Sequence, residues 1–177
     1  MSRSDREKWD GRYASQRHAD GYQASALLED ALERLAAERG RLTGLRALDL
    51  ASGAGRNSIL LARRGMAVDA VDVSAEGLAI GARRWSEAED RSEAEDRAEG
   101  GSIRWIQADL DRGLPLQGSY DLIVVVRFLD LRLLRTLPDR LNPGGMLVVE
   151  LHMDMRGDPA SASVSGPGNP VYLVAPG

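Results

Sequence analysis

The feature that most constrains the fold is a change of period within residues 45–62. A short, largely apolar run, Leu45-Arg46-Ala47-Leu48-Asp49-Leu50, breaks into Ala51-Ser52-Gly53-Ala54-Gly55, and helical spacing resumes at once through Ile59, Leu60, Leu61 and Ala62 before Gly65. A strand that passes through small residues straight into a helix is half of a β-α-β crossover. The pattern recurs. Residues 68–73 read as a second strand, and Ser74 with Glu76-Gly77 behind it opens a long helix; residues 103–106, 120–126 and 146–151 read as strands three to five. Before the fifth, residues 129–141 have helical spacing and close on Asn142-Pro143-Gly144-Gly145, a stop-and-turn signal. Upstream, residues 25–39 carry Leu27, Leu28, Ala31, Leu32 and Leu35 at helical spacing up to Gly40, and a helix over residues 5–17 would put Trp9 and Tyr13 on one face.

Short, nearly all-apolar strands alternating with helices imply a parallel sheet covered on both faces, a doubly wound α/β fold of about five strands. The length of 177 residues suits one such domain. No apolar run approaches the roughly 18 to 20 residues of a membrane helix, and MSRSDREKWD is too charged for a signal peptide; a cytoplasmic location without membrane contact is the expectation. Cysteine is absent, so thiolate metal sites, disulfides and cysteine nucleophiles are excluded, and no metal is expected. The formal charge of −4 argues against a nucleic-acid partner. Its source is local: residues 86–91, Ser-Glu-Ala-Glu-Asp-Arg, repeat as residues 92–97, each copy contributing −2, and the rest of the chain is formally neutral. Lacking an apolar stripe, this repeat reads as a solvated extension of the long helix rather than a partner-binding one.

In doubly wound sheets ligands lie outside the carboxyl ends of the strands. The first strand leads through Asp49 into the small-residue turn, whose backbone permits close approach and whose following helix offers free N–H groups. The second ends in Asp72, an acid suited to accept from two ribose hydroxyls. The third ends in Gln107-Ala108-Asp109-Leu110, where the carboxylate can accept from an adenine amino group and Leu110 can cover the ring. A dinucleotide turn would place glycine where Ser58 stands, and Asp49 would repel a pyrophosphate. A ligand with a ribose, an adenine and a cationic amino-acid tail suits these residues better.

In order along the chain, Ala47-Leu48-Asp49-Leu50-Ala51-Ser52-Gly53-Ala54-Gly55-Arg56-Asn57, Val71-Asp72-Val73-Ser74, Gln107-Ala108-Asp109-Leu110, Tyr120-Asp121-Leu122-Ile123-Val124-Val125 and Leu141-Asn142-Pro143-Gly144-Gly145 resemble the motif set of class I S-adenosylmethionine-dependent methyltransferases. The resemblance spans roughly residues 9–152 and is strongest to the tellurite-resistance-type and quinone-biosynthesis-type enzymes that act on small molecules. It implies a Rossmann-like sheet of strand order 3-2-1-4-5, S-adenosylmethionine as cofactor and a small-molecule methyl acceptor. It further implies that Asp49, Ala51, Ser52, Gly53 and Gly55 hold the methionine portion, Asp72 and Val73 the ribose, and Asp109 and Leu110 the adenine. Arg127 falls where family members contact cofactor or substrate, and Phe128 beside it can wall the pocket. Trp9 and Tyr13 resemble the Trp-Asp-x-Arg-Tyr opening of related enzymes, whose N-terminal helix lids the cofactor; two aromatics anchoring a helix on the core is the plainer reading. His152 is a base or a structural residue at a strand end, with His18 a lesser candidate. Ala51 departs from the family, which carries glycine there.

The expected division is a cofactor-binding domain over residues 1–156, with residues 1–40 as N-terminal helices and lid, and a Gly/Pro-rich tail over residues 157–177. That tail holds four of the seven prolines and four glycines, with Val171-Tyr172-Leu173-Val174 its main apolar run. The antiparallel hairpin that follows the fifth strand in the family is missing from this pattern. An apolar fifth strand, Met146-Leu147-Val148-Val149, is then expected at a sheet edge, covered by the tail or by a second copy in a homodimer. Substrate contacts in the family also come from the missing region, so a cofactor-binding module or pseudoenzyme is the alternative to an active methyltransferase.

Overall fold

A computed structural model describes residues 3–15, 23–91, 100–153 and 173–174. Helices α1 (Arg3–Ser15) and α2 (Ala26–Arg39) precede a sheet of five parallel strands, β1 (Arg46–Leu50), β2 (Ala67–Asp72), β3 (Ser102–Gln107), β4 (Tyr120–Val126) and β5 (Leu141–Glu150). The spatial order is β3-β2-β1-β4-β5, as the sequence implies. Helix α3 (Arg56–Arg63) joins β1 to β2, α4 (Ala75–Arg91) joins β2 to β3, and α5 (Leu131–Thr136) joins β4 to β5. Strand order reverses between β1 and β4, and their carboxyl ends open the crevice where α/β proteins bind ligands.

The strands are apolar on both sides because both sides are covered. Ala47, Leu122 and Val124 pack with Leu28, Leu32, Leu35 and Leu61 on the α2–α3 face. Their neighbours Leu48, Ile123 and Val125 pack with Leu133 and Leu137 on the α5 face. Alternate residues of a strand point to opposite faces, so two covered faces require an apolar residue at nearly every position. Helix α2 is capped by the Ser25 hydroxyl and stops at Gly40, whose φ of 74° suits glycine. The Ser74 hydroxyl accepts from the Gly77 N–H at 3.0 Å and begins α4.

Two boundaries differ from the sequence expectation. Helix α5 covers only part of residues 129–141, because the Asp130 carboxylate caps its start through the Arg132 and Leu133 N–H groups, at 2.8 and 3.2 Å, and Pro138 turns the chain into a 3₁₀ turn, Pro138–Arg140. Strand β5 begins at Leu141 rather than Met146. Tyr120 pairs with Leu141 and Leu122 with Met146, so Asn142-Pro143-Gly144-Gly145 forms a bulge inside the pairing rather than a turn before it. Asp121 fixes that bulge, accepting from Asn142 Nδ2 at 2.9 Å and from the Arg46 N–H at 2.8 Å.

Helix α4 runs to Arg91, the end of the first acidic hexapeptide; the second copy lies outside the described residues. Beyond β5, β6 (His152–Met153) pairs in parallel with β7 (Leu173–Val174) as a separate two-stranded sheet. Leu173 and Val174 of the tail thus pair with the chain just past β5, and the rest of residues 157–177 lies outside the described residues, as does His18. Every strand pairing among the described residues is parallel. No helix among them is long and apolar enough to cross a membrane.

Candidate cofactor and acceptor site

The turn after β1 is built from left-handed residues: Ala51, Gly53 and Gly55 have φ of 54°, 55° and 73°. It is tied to β2 by the Ser52 N–H, which donates to the Val71 carbonyl at 3.0 Å, and closed by the Gly55 N–H on the Ser52 carbonyl at 2.9 Å. Ala51 is one of two described non-glycine residues with positive φ. That conformation costs an L-residue about 1–2 kcal/mol. Ala51→Gly is therefore expected to be neutral, or stabilising by up to about 1 kcal/mol, the relief of strain outweighing the lost methyl and the freer unfolded chain. Denaturant unfolding checks this, and a loss beyond about 1 kcal/mol would contradict it.

The other two glycines are held by aromatic rings. A Cβ on Gly53 would run into the Tyr13 hydroxyl, and one on Gly77 would lie 3.0 Å from the same ring, so α1 lays Tyr13 across the turn and the start of α4. Trp9 and Tyr13 do share a face, their ring centroids 6.3 Å apart, and both are half-buried. A Cβ on Gly55 would meet the Trp105 indole, 2.6 Å from Cζ3.

Two buried carboxylates flank the turn. Asp49, 1% exposed, accepts from the Ser58 hydroxyl at 2.5 Å. Burial pushes its carboxyl up to about 7, against the Ser58 hydroxyl and N–H, with the charge of Asp72 adding to the rise. Asp72, 7% exposed, accepts from the Gly53 N–H on one oxygen and the Ser74 N–H on the other, both at 2.8 Å. Burial raises it above the usual carboxylate range despite those bonds, and Asp10 pushes the same way. Each oxygen of Asp72 keeps a lone pair, and the two N–H groups fix its orientation. Among the described residues neither Asp49 nor Asp72 has an ion pair. The Ser52 hydroxyl, in the turn between them, is buried without a hydrogen-bond partner among the described residues.

The remaining residues singled out in the sequence divide. Asp109 caps the 3₁₀ turn Leu110–Arg112 through the Asp111 N–H at 3.1 Å and lies 3.6 Å from Arg112 Nε. Leu110, 1% exposed, packs in the core with Leu48, Leu50 and Val71. Val73 is buried, its carbonyl accepting from Gln107 Nε2 at 3.1 Å. Arg127 follows β4 with φ of 61°, its N–H donating to the Glu150 carbonyl at 2.7 Å, and Phe128 packs half-buried on the α5-side core. The His152 side chain lies outside the described residues.

Sequence reasoning missed three residues. Ser58 enters the reading above only as a missing glycine, yet it is the partner of Asp49. Asp10 joins α1 to the start of α4, accepting from the Ser74 hydroxyl at 2.6 Å and the Glu76 N–H at 3.3 Å. Its position inside the Trp9–Tyr13 segment was the available signal. Trp105 carries the glycine turn from below, and nothing in a strand pattern marks it for that role.

At the opposite rim, a cavity of about 410 Å³ lies among the amino ends of β1, β2 and β3, between Arg46, Asp69, Ser102 and Arg104. Its charges answer one another. Asp69 accepts from Arg104 Nε and the Tyr120 hydroxyl, both at 2.8 Å, and those bonds hold it below its ordinary range although burial alone would raise it. Tyr120 is pushed up to about 12 by burial and by that same bond. These bonds make the charged lining of the cavity a structural tie.

The sheet order and the acidic, glycine-bearing crevice at its switch point define a Rossmann-like fold of the class I methyltransferase type. The profile of the methyltransferase domain family matches residues 47–145, more than half the chain, and the chain belongs to that family. Solved structures share the fold. Magnesium protoporphyrin IX methyltransferase (ChlM) from Synechocystis PCC 6803 with bound SAH aligns with a TM-score of 0.60 at 19% identity over 87% of this chain and 73% of that one. A SAM-dependent methyltransferase from Thiobacillus denitrificans in complex with S-adenosyl-L-homocysteine aligns at 0.57 and 19% over 84% and 55%. TehB from Haemophilus influenzae aligns at 0.56 and 19% over 82% and 47%. The chain thus spans about half the length of the last two. No curated protein matches it in sequence.

Proposed function

We propose that the chain binds S-adenosylmethionine and transfers its methyl group to a small-molecule acceptor. The observation that carries this is the pair of buried acids, Asp49 and Asp72, set about a left-handed small-residue turn with no ion pair to either among the described residues. Such a lining repels a pyrophosphate and suits a ligand with a cationic tail and a free ribose diol. The residues fit that ligand. The lone pairs left on Asp72 suit two hydroxyls, the partnerless Ser52 hydroxyl is a buried polar atom in want of one, and the ionised form of Asp49 is the partner an ammonium group needs. Asp49 with the Ala51, Ser52, Gly53 and Gly55 backbone would take the methionine portion, Asp72 and Val73 the ribose, and Asp109 beside Leu110 the adenine. SAH bound in structures that share the fold, and the methyltransferase family itself, support this reading.

The cofactor when bound supplies a methyl already activated on a sulfonium, so the chain's own work is alignment and exclusion of water. Tyr13 across Gly53 and Gly77, with Asp10 on Ser74, closes the turn from the side of α1 and would shield the ligand there. The Trp9-Asp10-Gly11-Arg12-Tyr13 segment supports the tellurite-resistance or quinone-biosynthesis type, with residues 1–156 as the functional domain and the remainder as tail. Calorimetry with S-adenosylmethionine and S-adenosylhomocysteine tests binding, and a methyl-release assay over small acceptors tests turnover. Binding without turnover on any acceptor would favour a cofactor-binding module. Asp72→Ala should weaken binding by about 1–3 kcal/mol through the lost hydrogen bonds; unchanged affinity in a folded variant would refute the ribose assignment.

A further inference from the structure

We propose that the acceptor is an anion, a carboxylate or other oxyanion, and that Arg56 and Arg127 bind it across the mouth of the switch-point crevice. The inference rests on the cofactor reading above and names the substrate class of that site.

Arg56 is the first residue of α3, directly after the glycine turn of β1; Arg127 is the first residue after β4. β1 and β4 are neighbours, with Leu50 opposite Val125, so the two arginines stand on the two lips of the crevice. Among the described residues neither guanidinium has an ion pair. Among the described residues the Arg56 side chain makes one hydrogen bond, a long one, Nη1 to the Gln23 carbonyl at 3.4 Å. The nearby acids also accept hydroxyl hydrogen bonds, Glu150 from Ser25 and Asp49 from Ser58, and neither pairs with a guanidinium among the described residues.

Two further observations agree with this placement. Partial burial lowers Arg56, and the charge of Arg127 lowers it further while Glu150 and Asp49 oppose that, so the two cations are close enough to repel. The Arg127 backbone is left-handed, with φ of 61°, and held so by its N–H on the Glu150 carbonyl. Backbone strain in a bulky residue at a strand end is characteristic of functional sites. Here it fixes where the side chain leaves the sheet. Repulsion between two forked donors at one opening is relieved by an oxyanion between them, which each can bind through paired N–H groups. Half-buried Phe128 next to Arg127 adds an apolar wall for the body of such a molecule.

The test uses the full chain and begins with calorimetric titration of S-adenosylhomocysteine. With the protein saturated, benzoate and benzamide, equal in shape and different in charge, are titrated and followed by NMR. Benzoate should bind at least about tenfold tighter than benzamide, and about 0.5 M salt should erase most of that preference. Arg127→Gln and Arg56→Gln should each remove the preference, Arg127→Lys should keep part of it, and Arg127→Gln should leave S-adenosylhomocysteine affinity within about twofold. Equal binding of the two probes, or binding of neither, overturns the proposal. So does a large loss of S-adenosylhomocysteine affinity in Arg127→Gln, which would assign the guanidinium to the cofactor's own carboxylate. Failure of the wild-type protein to bind S-adenosylhomocysteine is read before any probe is added, and it removes the cofactor reading and this inference with it.

Discussion

Replacing Asp49 by Asn is expected to make the protein more stable at pH 8 and no more stable at pH 5. Burial holds this carboxyl at about 7, against an ordinary value of 3.8. Between those values the unfolded chain has released the proton and the folded chain has kept it, so unfolding gains with every rise in pH. The full difference, about 4 kcal/mol, is reached above pH 7 and vanishes below pH 4. Asn has no charge to bury and still accepts from the Ser58 hydroxyl, but its amide N–H groups add about 1–2 kcal/mol of unmet donor cost. The net gain at pH 8 is then about 2–3 kcal/mol. Denaturant unfolding at both pH values measures it, and equal stability differences at pH 5 and 8 would show that Asp49 is not the titrating group.

The same substitution should weaken S-adenosylmethionine binding. An ammonium group beside Asp49 favours the ionised carboxyl, so binding below pH 7 releases a proton, and affinity should rise with pH up to about 7 and then level off. In Asp49→Asn that slope should disappear. A protein stabilised by losing a buried charge, and bound less tightly by its ligand for the same reason, is the signature of a group kept for function at the expense of the fold.

The fold was legible because its determinants are local or periodic. Both faces of the sheet are covered, which makes the strands apolar throughout, and each crossover begins at a small residue or a cap that the sequence displays. Asp49 and Asp72 were legible for a related reason: a parallel sheet places the residues ending its strands on one rim, so position along the chain sufficed. What escaped is whatever depends on how layers meet. The Ser58–Asp49 bond needs α3 to fold back over β1. The Asp10 contact spans 64 residues and needs α1 docked on α4. The placing of Arg56 and Arg127 after neighbouring strands needs the adjacency of β1 and β4, which follows from strand order and from no property of either residue. In β5 a local signal misled: Asn142-Pro143-Gly144-Gly145 has the composition of a turn, but Asp121 and the Tyr120–Leu141 pair draw it into the sheet as a bulge.

Gly55→Ala should be the most damaging single-methyl change in the turn, at about 3 kcal/mol. At φ of 73° an alanine costs about 1–2 kcal/mol whatever surrounds it. Its Cβ would also overlap the edge of the Trp105 indole, and the same ring edge lies 2.7 Å from where a Cβ on Gly81 would stand, which leaves the indole pressed between the turn and α4. Overpacking of this kind adds about 1–3 kcal/mol. The two contributions separate in a double-mutant cycle. In a Trp105→Leu background the ring is gone, and Gly55→Ala should cost only the backbone share, about 1–2 kcal/mol. An equal cost in both backgrounds would mean that the ring yields freely and conformation alone demands the glycine. The cycle also bears on function. The Gly55 N–H is spent on the Ser52 carbonyl and the missing side chain faces Trp105, so this glycine serves packing where Gly53, under Tyr13 and bonded to Asp72, serves the crevice. Cofactor affinity of the folded fraction should therefore survive Gly55→Ala far better than Gly53→Ala, in which the added carbon displaces Tyr13 from its position across the turn.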